Sequence, residues 1–248
     1  MMRPTTGDKM NLRRQSIYLL PNLFTLAALF AGFYAVVQAM NQKFEYSAVA
    51  IFIAMVLDGL DGRVARMTHT QSAFGAEFDS LSDMVSFGVA PALVAYEWAL
   101  RDFDRLGWMV AFIYCAGAAL RLARFNTNLG STDKRWFQGL PSPSAAAVVA
   151  GLVWTSLEVG WSGMWVKWLA LGLTLFAGLT MVSNVPFYSF KEFNVRKTVP
   201  FVVLLLLLLA IVVVVYKPPL VLFGFFLAYS ISGYMTYCYR KLKFQKKS

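Results

Sequence analysis

Charged side chains divide this chain into apolar stretches of similar length. Residues 15–42, 136–157, 168–190, 198–216 and 218–239 contain no Asp, Glu, Lys or Arg. Residues 46 to about 66, 81 to about 100 and 106–121 are also apolar but meet charges at one end or both. A hydrocarbon core about 30 Å thick takes roughly 20 apolar residues of helix to cross, and lipid tolerates only backbone whose polar groups are paired internally. The pattern therefore predicts an all-α integral membrane protein of about eight transmembrane helices. Gly107, Gly117, Gly151, Gly172 and Gly178 fall inside these stretches, where a missing side chain lets helices approach closely. No repeat and no long linker interrupts the series, so residues 1–248 are expected to form a single membrane domain.

Composition agrees. Hydrophobic residues make up 58% of the chain and charged ones 15%, with a mean hydropathy of +0.56, too apolar for an ordinary soluble domain. The first stretch, following Arg13-Arg14, is longer than the apolar region of a cleaved leader and lacks a small-residue exit, so it is expected to remain as the first span. Cys115 and Cys238 fall within apolar stretches and read as buried side chains, not as a disulfide framework or a zinc site.

The formal charge of +10 would suit nucleic acid, but its distribution points elsewhere. Of 23 basic residues, 18 lie at the N-terminus, the C-terminus and alternate loops, and only Lys43, Arg101, Arg105, Lys167 and Lys217 lie opposite. The excess of Lys and Arg on cytoplasmic loops then places both termini in the cytoplasm, which requires an even number of spans. The terminal clusters also suit anionic headgroups. There is no zinc-finger spacing or aromatic-basic groove pattern, so no nucleic-acid partner is expected.

The acids are few and concentrated. Of 13, five (Asp58, Asp61, Glu77, Asp79 and Asp83) sit within 26 positions where the second and third spans meet the cytoplasmic interface. Carboxylates at membrane depth are costly and point to function. Asp58 and Asp61 are spaced i, i+3 and Asp79 and Asp83 i, i+4, so each pair shares a helix face, and a short loop can bring the pairs together. Four converging carboxylates need positive compensation. Hard oxygen donors without a neighbouring His or Cys suit Mg2+ or Mn2+, and a two-metal site that clamps a phosphoryl group is the economical inference. Gly59, Gly62 and Gly75 leave bare backbone for a diphosphate, and Arg66 can meet its charge. His69, the one histidine, is expected to be a loop residue, and its isolation argues against a Ser-His-Asp or Cys-His mechanism.

Asp58-Gly-Leu-Asp61-Gly62-Arg-Val-Ala65-Arg66, eight residues, Gly75, three residues, Asp79, three residues and Asp83 is similar to the signature of the CDP-alcohol phosphotransferase family, and every fixed position is filled. The resemblance implies a core of six transmembrane helices, usually in a homodimer, with a polar cavity open to the cytoplasm. It implies that Asp58 and Asp79 bridge two metal ions, that Asp61 and Asp83 each complete one, and that Asp83 takes the proton from the acceptor hydroxyl. It also implies that CDP-diacylglycerol is held by Gly62, Ala65 and Arg66 together with Pro21, Asn22, Thr25, Ser72 and Gly75. The acceptor would attack the β-phosphorus and CMP would leave. Residues 17–190 would form the catalytic core and 198–239 two additional helices. The aliphatic run 202–215 and the tyrosines 229, 234, 237 and 239 are expected to face lipid or pack outside that core.

Arg121-Leu-Ala-Arg124-Phe-Asn126 and Phe137-Gln-Gly139-Leu-Pro141-Ser142-Pro143 resemble the serine-accepting branch of that family. An amino-acid acceptor needs a cation for its carboxylate, which Arg121 and Arg124 can supply from one helix face; Asn126, Ser142, Asn184 and Lys191 are polar groups at the same level. Flanking charge of the positive-inside kind also accounts for these basic residues. Glycerol 3-phosphate or inositol phosphate would call for a denser basic pocket and choline for an aromatic cage, so the arginine pair favours L-serine. A cation transporter is the reading from another class, but such sites lie near the bilayer midplane between inverted repeats. A short chain with a cytoplasmic active site suits a prokaryotic inner membrane.

Overall fold

The computed structural model describes residues 6–68, 72–127, 136–189 and 201–245. Nine α-helices run through these segments. They are α1 (Thr6–Met40), α2 (Phe44–Thr68), α3 (Ala73–Asp83), α4 (Ala90–Trp98), α5 (Asp104–Thr127), α6 (Ser142–Val159), α7 (Met164–Val182), α8 (Phe201–Tyr216) and α9 (Pro218–Gln245). A π-helical turn, Met84–Val89, fuses α3 and α4 into one rod, so the eight rods match the eight apolar stretches. Six segments are long and apolar enough to cross a membrane: Pro21–Met40, Ala73–Trp98, Leu100–Thr127, Ser142–Val159, Met164–Val182 and Pro218–Leu242. The other two rods fall short for physical reasons. α2 carries Asp58, Asp61, Arg63 and Arg66 in its second half, and α8 is wholly apolar but has 16 residues.

Two boundaries differ from the apolar pattern. The stretch from 136 begins with a strand, β1 (Trp136–Gln138), and the stretch ending at 190 leaves its helix at Val182 and finishes in β2 (Pro186–Tyr188). These pair antiparallel, Phe137 opposite Phe187. Gly139 makes the clip possible: its φ is +79°, and a Cβ there would lie 2.2 Å from the Met181 carbonyl oxygen. Its N–H donates to the Val185 carbonyl, and that of Leu140 to the Thr180 carbonyl. Pro141 and Pro143 then open α6, where proline is tolerated because first-turn N–H groups have no helical partner.

Small residues set the packing. α1 and α2 form a tight antiparallel hairpin along buried Ala28, Ala31, Ala35 and Ala39 on one side and Ala48, Ala50 and Ala54 on the other. α6 is the hub. Ala145 to Val153 are all buried, and the helix packs against α2, α4, α7 and α9. α5 and α7 cross where Gly117 faces Gly178, so closely that a Cβ on Gly117 would stand 2.5 Å from the Gly178 carbonyl oxygen. Gly107 and Gly151 likewise sit against neighbours, on Leu100 and Phe223, whereas Gly172 faces open space and has no packing role here. Cys115 is half-buried and Cys238 exposed, because α9 turns most of its surface outward; neither is in a disulfide.

The antiparallel rods sort the polar residues by end. Asp58 to Arg66, Ala73 to Asp83, Arg121 to Thr127, Ser142 and Ser183-Asn184 share one end of the bundle. Gln42, Arg101, Gly160 and Lys167 share the other, where Lys167 pairs with Asp102 and Arg101 with Glu97.

Overpacking a close helix crossing costs about 1–3 kcal/mol. Gly117→Val is expected to lower the thermal midpoint of the detergent-solubilised protein by several degrees, whereas Gly172→Val leaves it unchanged. Equal behaviour of the two variants, read by melting in detergent, would contradict the α5–α7 crossing.

Candidate active site

The acidic residues lie on neighbouring walls of one cleft. Asp58 and Asp61 come from the last turns of α2, and Asp79 and Asp83 from α3. Oxygens of Asp58, Asp61 and Asp79 lie within 4.8 Å of one another. Asp83 lies one helical turn beyond Asp79, close enough to Asp58, Asp79 and Arg121 to interact with them electrostatically.

Local interactions hold this arrangement. The Thr25 hydroxyl of α1 is 2.7 Å from Asp61 Oδ2 and donates to it, fixing a carboxylate that is only 5% exposed. Ser82 and Ser86 donate to the α1 carbonyls of Thr25 and Ala28 at 3.1 and 3.0 Å. Gly32 allows that approach, since a Cβ there would lie 2.7 Å from Ser86 Cα. The hydroxyl of Tyr114 donates to the Phe87 carbonyl inside the π-turn at 3.1 Å, meeting backbone that the altered helical register leaves open. The apolar pattern of residues 81–100 gives no sign of this turn; Ser82, Ser86 and Gly88, four and two residues apart on one rod, are the one available hint.

A pocket of about 260 Å3 opens beside the carboxylates. Pro21, Asn22 and Thr25 of α1, Gly62, Ala65 and Arg66 of α2, and Ser72 and Gly75 at the start of α3 all line it, together with Asp61, Ala76 and Asp79. Every residue named from the sequence for the CDP moiety is thus brought to one cavity, and Ala76 is added. Ser72 also caps α3: its side chain accepts a hydrogen bond from the Gly75 N–H at 3.0 Å. A Cβ on Gly75 would press on Ser72 Oγ at 3.1 Å and Asn22 Oδ1 at 3.3 Å, which explains glycine there. Gly59 faces open space, away from close contacts.

The residues named for the acceptor divide into pairs. Arg121 is 9% exposed, and its Nη1 donates to Ser142 Oγ at 2.7 Å. Arg124 points to the exit of α7, donating to the Val182 carbonyl at 2.7 Å and to Asn184 Oδ1 at 3.2 Å. Asn126 Nδ2 donates to Ser80 Oγ at 3.0 Å, tying α5 to the turn between Asp79 and Asp83. Lys191 and His69 lie outside the described residues.

The donor set fits a divalent cation. Three hard oxygens converge within bonding range of a shared ion, and Asp79 Oδ1 is buried without a hydrogen-bond partner. An orphaned buried carboxylate oxygen beside like charges is costly unless a cation meets it.

The chain matches a family model described as CDP-alcohol phosphatidyltransferase over residues 18–176. A Helicobacter pylori (strain J99) protein named CDP-diacylglycerol–serine O-phosphatidyltransferase is 40% identical over 176 residues, 71% of this chain and 74% of its own length. A Mycobacterium tuberculosis (strain H37Rv) protein of the same name is 31% identical over 229 residues, 90% of this chain and 79% of its own. A Saccharomyces cerevisiae protein, again of that name, is 35% identical over 164 residues, 60% of this chain and 58% of its own. With the acidic quartet and its pocket in the matched region, the chain belongs to the CDP-alcohol phosphatidyltransferase family.

Proposed function

We propose that this chain transfers the phosphatidyl group of CDP-diacylglycerol to the hydroxyl of L-serine, giving phosphatidylserine and CMP. The observation that carries the reading is the acidic group flanked on one side by the pocket at Asp61 and Asp79 and on the other by buried Arg121 at Asp83. The shared name of the relatives from three lineages supports serine as the acceptor.

The diphosphate enters against Gly62 and Gly75, whose bare backbone leaves room for it, and Arg66 offsets part of its charge. Asn22 and Thr25 form the α1 wall for the cytidine end. Two divalent cations, Mg2+ or Mn2+, would be shared by Asp58 and Asp79, with Asp61 and Asp83 each completing one. When bound they supply neutralisation of the carboxylates and of the charge that develops on the phosphoryl group. Asp83 takes the proton of the serine hydroxyl as its oxygen bonds to the β-phosphorus. The bond from that phosphorus to the bridging oxygen breaks, and CMP carries the electron pair away. Positioning and charge stabilisation thus dominate the rate.

Arg121, oriented by Ser142, holds the serine carboxylate. Arg124 with Asn184, and Asn126 through Ser80, position the walls of the site. The basic residues at this end of the bundle, Arg63, Arg66, Arg121, Arg124 and Arg240, support a cytoplasmic active site with both termini inside, in a prokaryotic plasma membrane. The chain is read as a homodimer in that bilayer.

Detergent-purified protein with Mg2+ or Mn2+ is expected to release CMP from CDP-diacylglycerol when given L-serine and not when given glycerol 3-phosphate, inositol, inositol phosphate or choline, and EDTA should abolish release. Turnover with another alcohol would keep the family chemistry and discard serine. Thermal melting gives an independent check on the cation. Mn2+ should raise the midpoint of the wild type above its value in EDTA. Asp79→Asn, which removes one repelling charge, should match or exceed the wild type in EDTA and gain little from Mn2+. An unchanged Mn2+ shift in Asp79→Asn would remove that residue from the cation site.

A further inference from the structure

We propose that Tyr229 of α9 forms the amine-facing wall of the acceptor pocket, its phenolic oxygen accepting a hydrogen bond from the substrate ammonium while Arg121 holds the carboxylate. The proposal rests on serine being the acceptor, and it brings into the site a helix that lies beyond the family-model match at 18–176.

α9 turns most of its length outward, but buried Ser230 and Gly233 mark a narrow face that meets the rest of the bundle. Tyr229, Gly233 and Arg240 meet the β1–β2 clip, and Tyr234 meets α7 beside it. The Tyr229 ring packs on Phe187 at 5.6 Å between centroids, and Gly233 is pressed so close that a Cβ would stand 2.4 Å from the Phe187 ring. The hydroxyls of Tyr234 and Thr180 are 2.8 Å apart, and the Arg240 guanidinium lies 3.8 Å over the Trp136 ring. Four contacts of different kinds thus fix the register of α9 against the loop that leads into Ser142.

Thr180, which meets Tyr234, also accepts from the Leu140 N–H two residues before Ser142, the partner of Arg121, so that register brings Tyr229 to the neighbourhood of the Arg121 guanidinium. Arg121 is more than nine-tenths buried, and although Nη1 is engaged by Ser142, its Nε–H has no partner. A buried guanidinium donor left open is costly, which points to an anionic ligand that completes it. Tyr229 is prepared in the complementary sense. Its one proton is donated to the Tyr188 carbonyl at 3.0 Å, so toward a ligand its oxygen can only accept.

The three functional groups of serine then meet three different chemistries: the hydroxyl meets Asp83, the carboxylate Arg121 and the ammonium Tyr229. An ammonium repelled by the guanidinium turns toward the neutral, accept-only oxygen.

Tyr229→Phe keeps the ring on Phe187 and removes only that oxygen. CMP release by the full-length protein in detergent would be measured with L-serine as acceptor and with 3-hydroxypropionate, which lacks the amine, as acceptor or competitive inhibitor. The variant is expected to raise the serine KM about tenfold, leave the CDP-diacylglycerol KM unchanged, and reduce the preference for serine over 3-hydroxypropionate by the same factor. A loss that is merely structural would weaken both ligands equally. A serine-dependent wild type whose Tyr229→Phe variant keeps its full preference overturns this proposal alone. A wild type that turns over a different alcohol and not serine overturns the acceptor reading and this proposal with it.

Discussion

Mutual repulsion among Asp58, Asp61, Asp79 and Asp83 is the constraint around which the active-site end is built. Like charges a few ångströms apart in a poorly solvated site repel strongly, and the elements that carry these side chains are held against that repulsion by hydrogen bonds to α1. Asp61 is pinned by Thr25, and the rod carrying Asp79 and Asp83 is stitched to α1 by Ser82 and Ser86. The opposition between scaffold and site explains the donor chemistry. A cation would relieve the repulsion in this arrangement, and hard oxygens with an orphaned Asp79 Oδ1 fit a hard divalent one.

The remaining architecture arranges the pocket and Arg121 around that centre. Small residues bring α1 against α2 and α5 against α7, closing the bundle tightly enough for helix ends to act as walls. The pocket is formed by the middle of α1, the last turns of α2 and the start of α3, so the family match and the cavity occupy the same stretch of chain. The acceptor side is assembled differently. Arg121 and Ser142 belong to α5 and α6, but the clip that orders the entry to α6 is secured by α9 from the far end of the sequence. The two sides of the site thus have different sources of rigidity, helix packing around the pocket and a clamped loop beside Arg121.

Much of this was legible before any coordinates. Apolar stretches separated by charges marked all eight rods, because lipid demands long uninterrupted runs, and the spacing of Asp58 to Asp83, through the family it resembles, pointed to the residues that line the pocket. The misses have a common cause. β1, β2 and the π-turn are set by backbone register and tertiary contact; Gly139 and the serines at 82 and 86 are weak signals inside apolar sequence. The hydrogen bond from Tyr229 to the Tyr188 carbonyl is likewise a contact between residues distant along the chain, which nothing in the neighbours of either records. Arg121 and Arg124 looked equivalent at i, i+3, yet one is buried against Ser142 and Asp83 while the other reaches the carbonyls at the exit of α7.

The central claim, that the acidic quartet is a paired divalent-cation site, is tested most directly by anomalous diffraction from crystals of the protein grown with Mn2+. The account predicts two peaks about 4 Å apart, the spacing of two-metal phosphoryl-transfer sites, with Asp58 and Asp79 touching both. A single peak, or density away from these carboxylates, would contradict it.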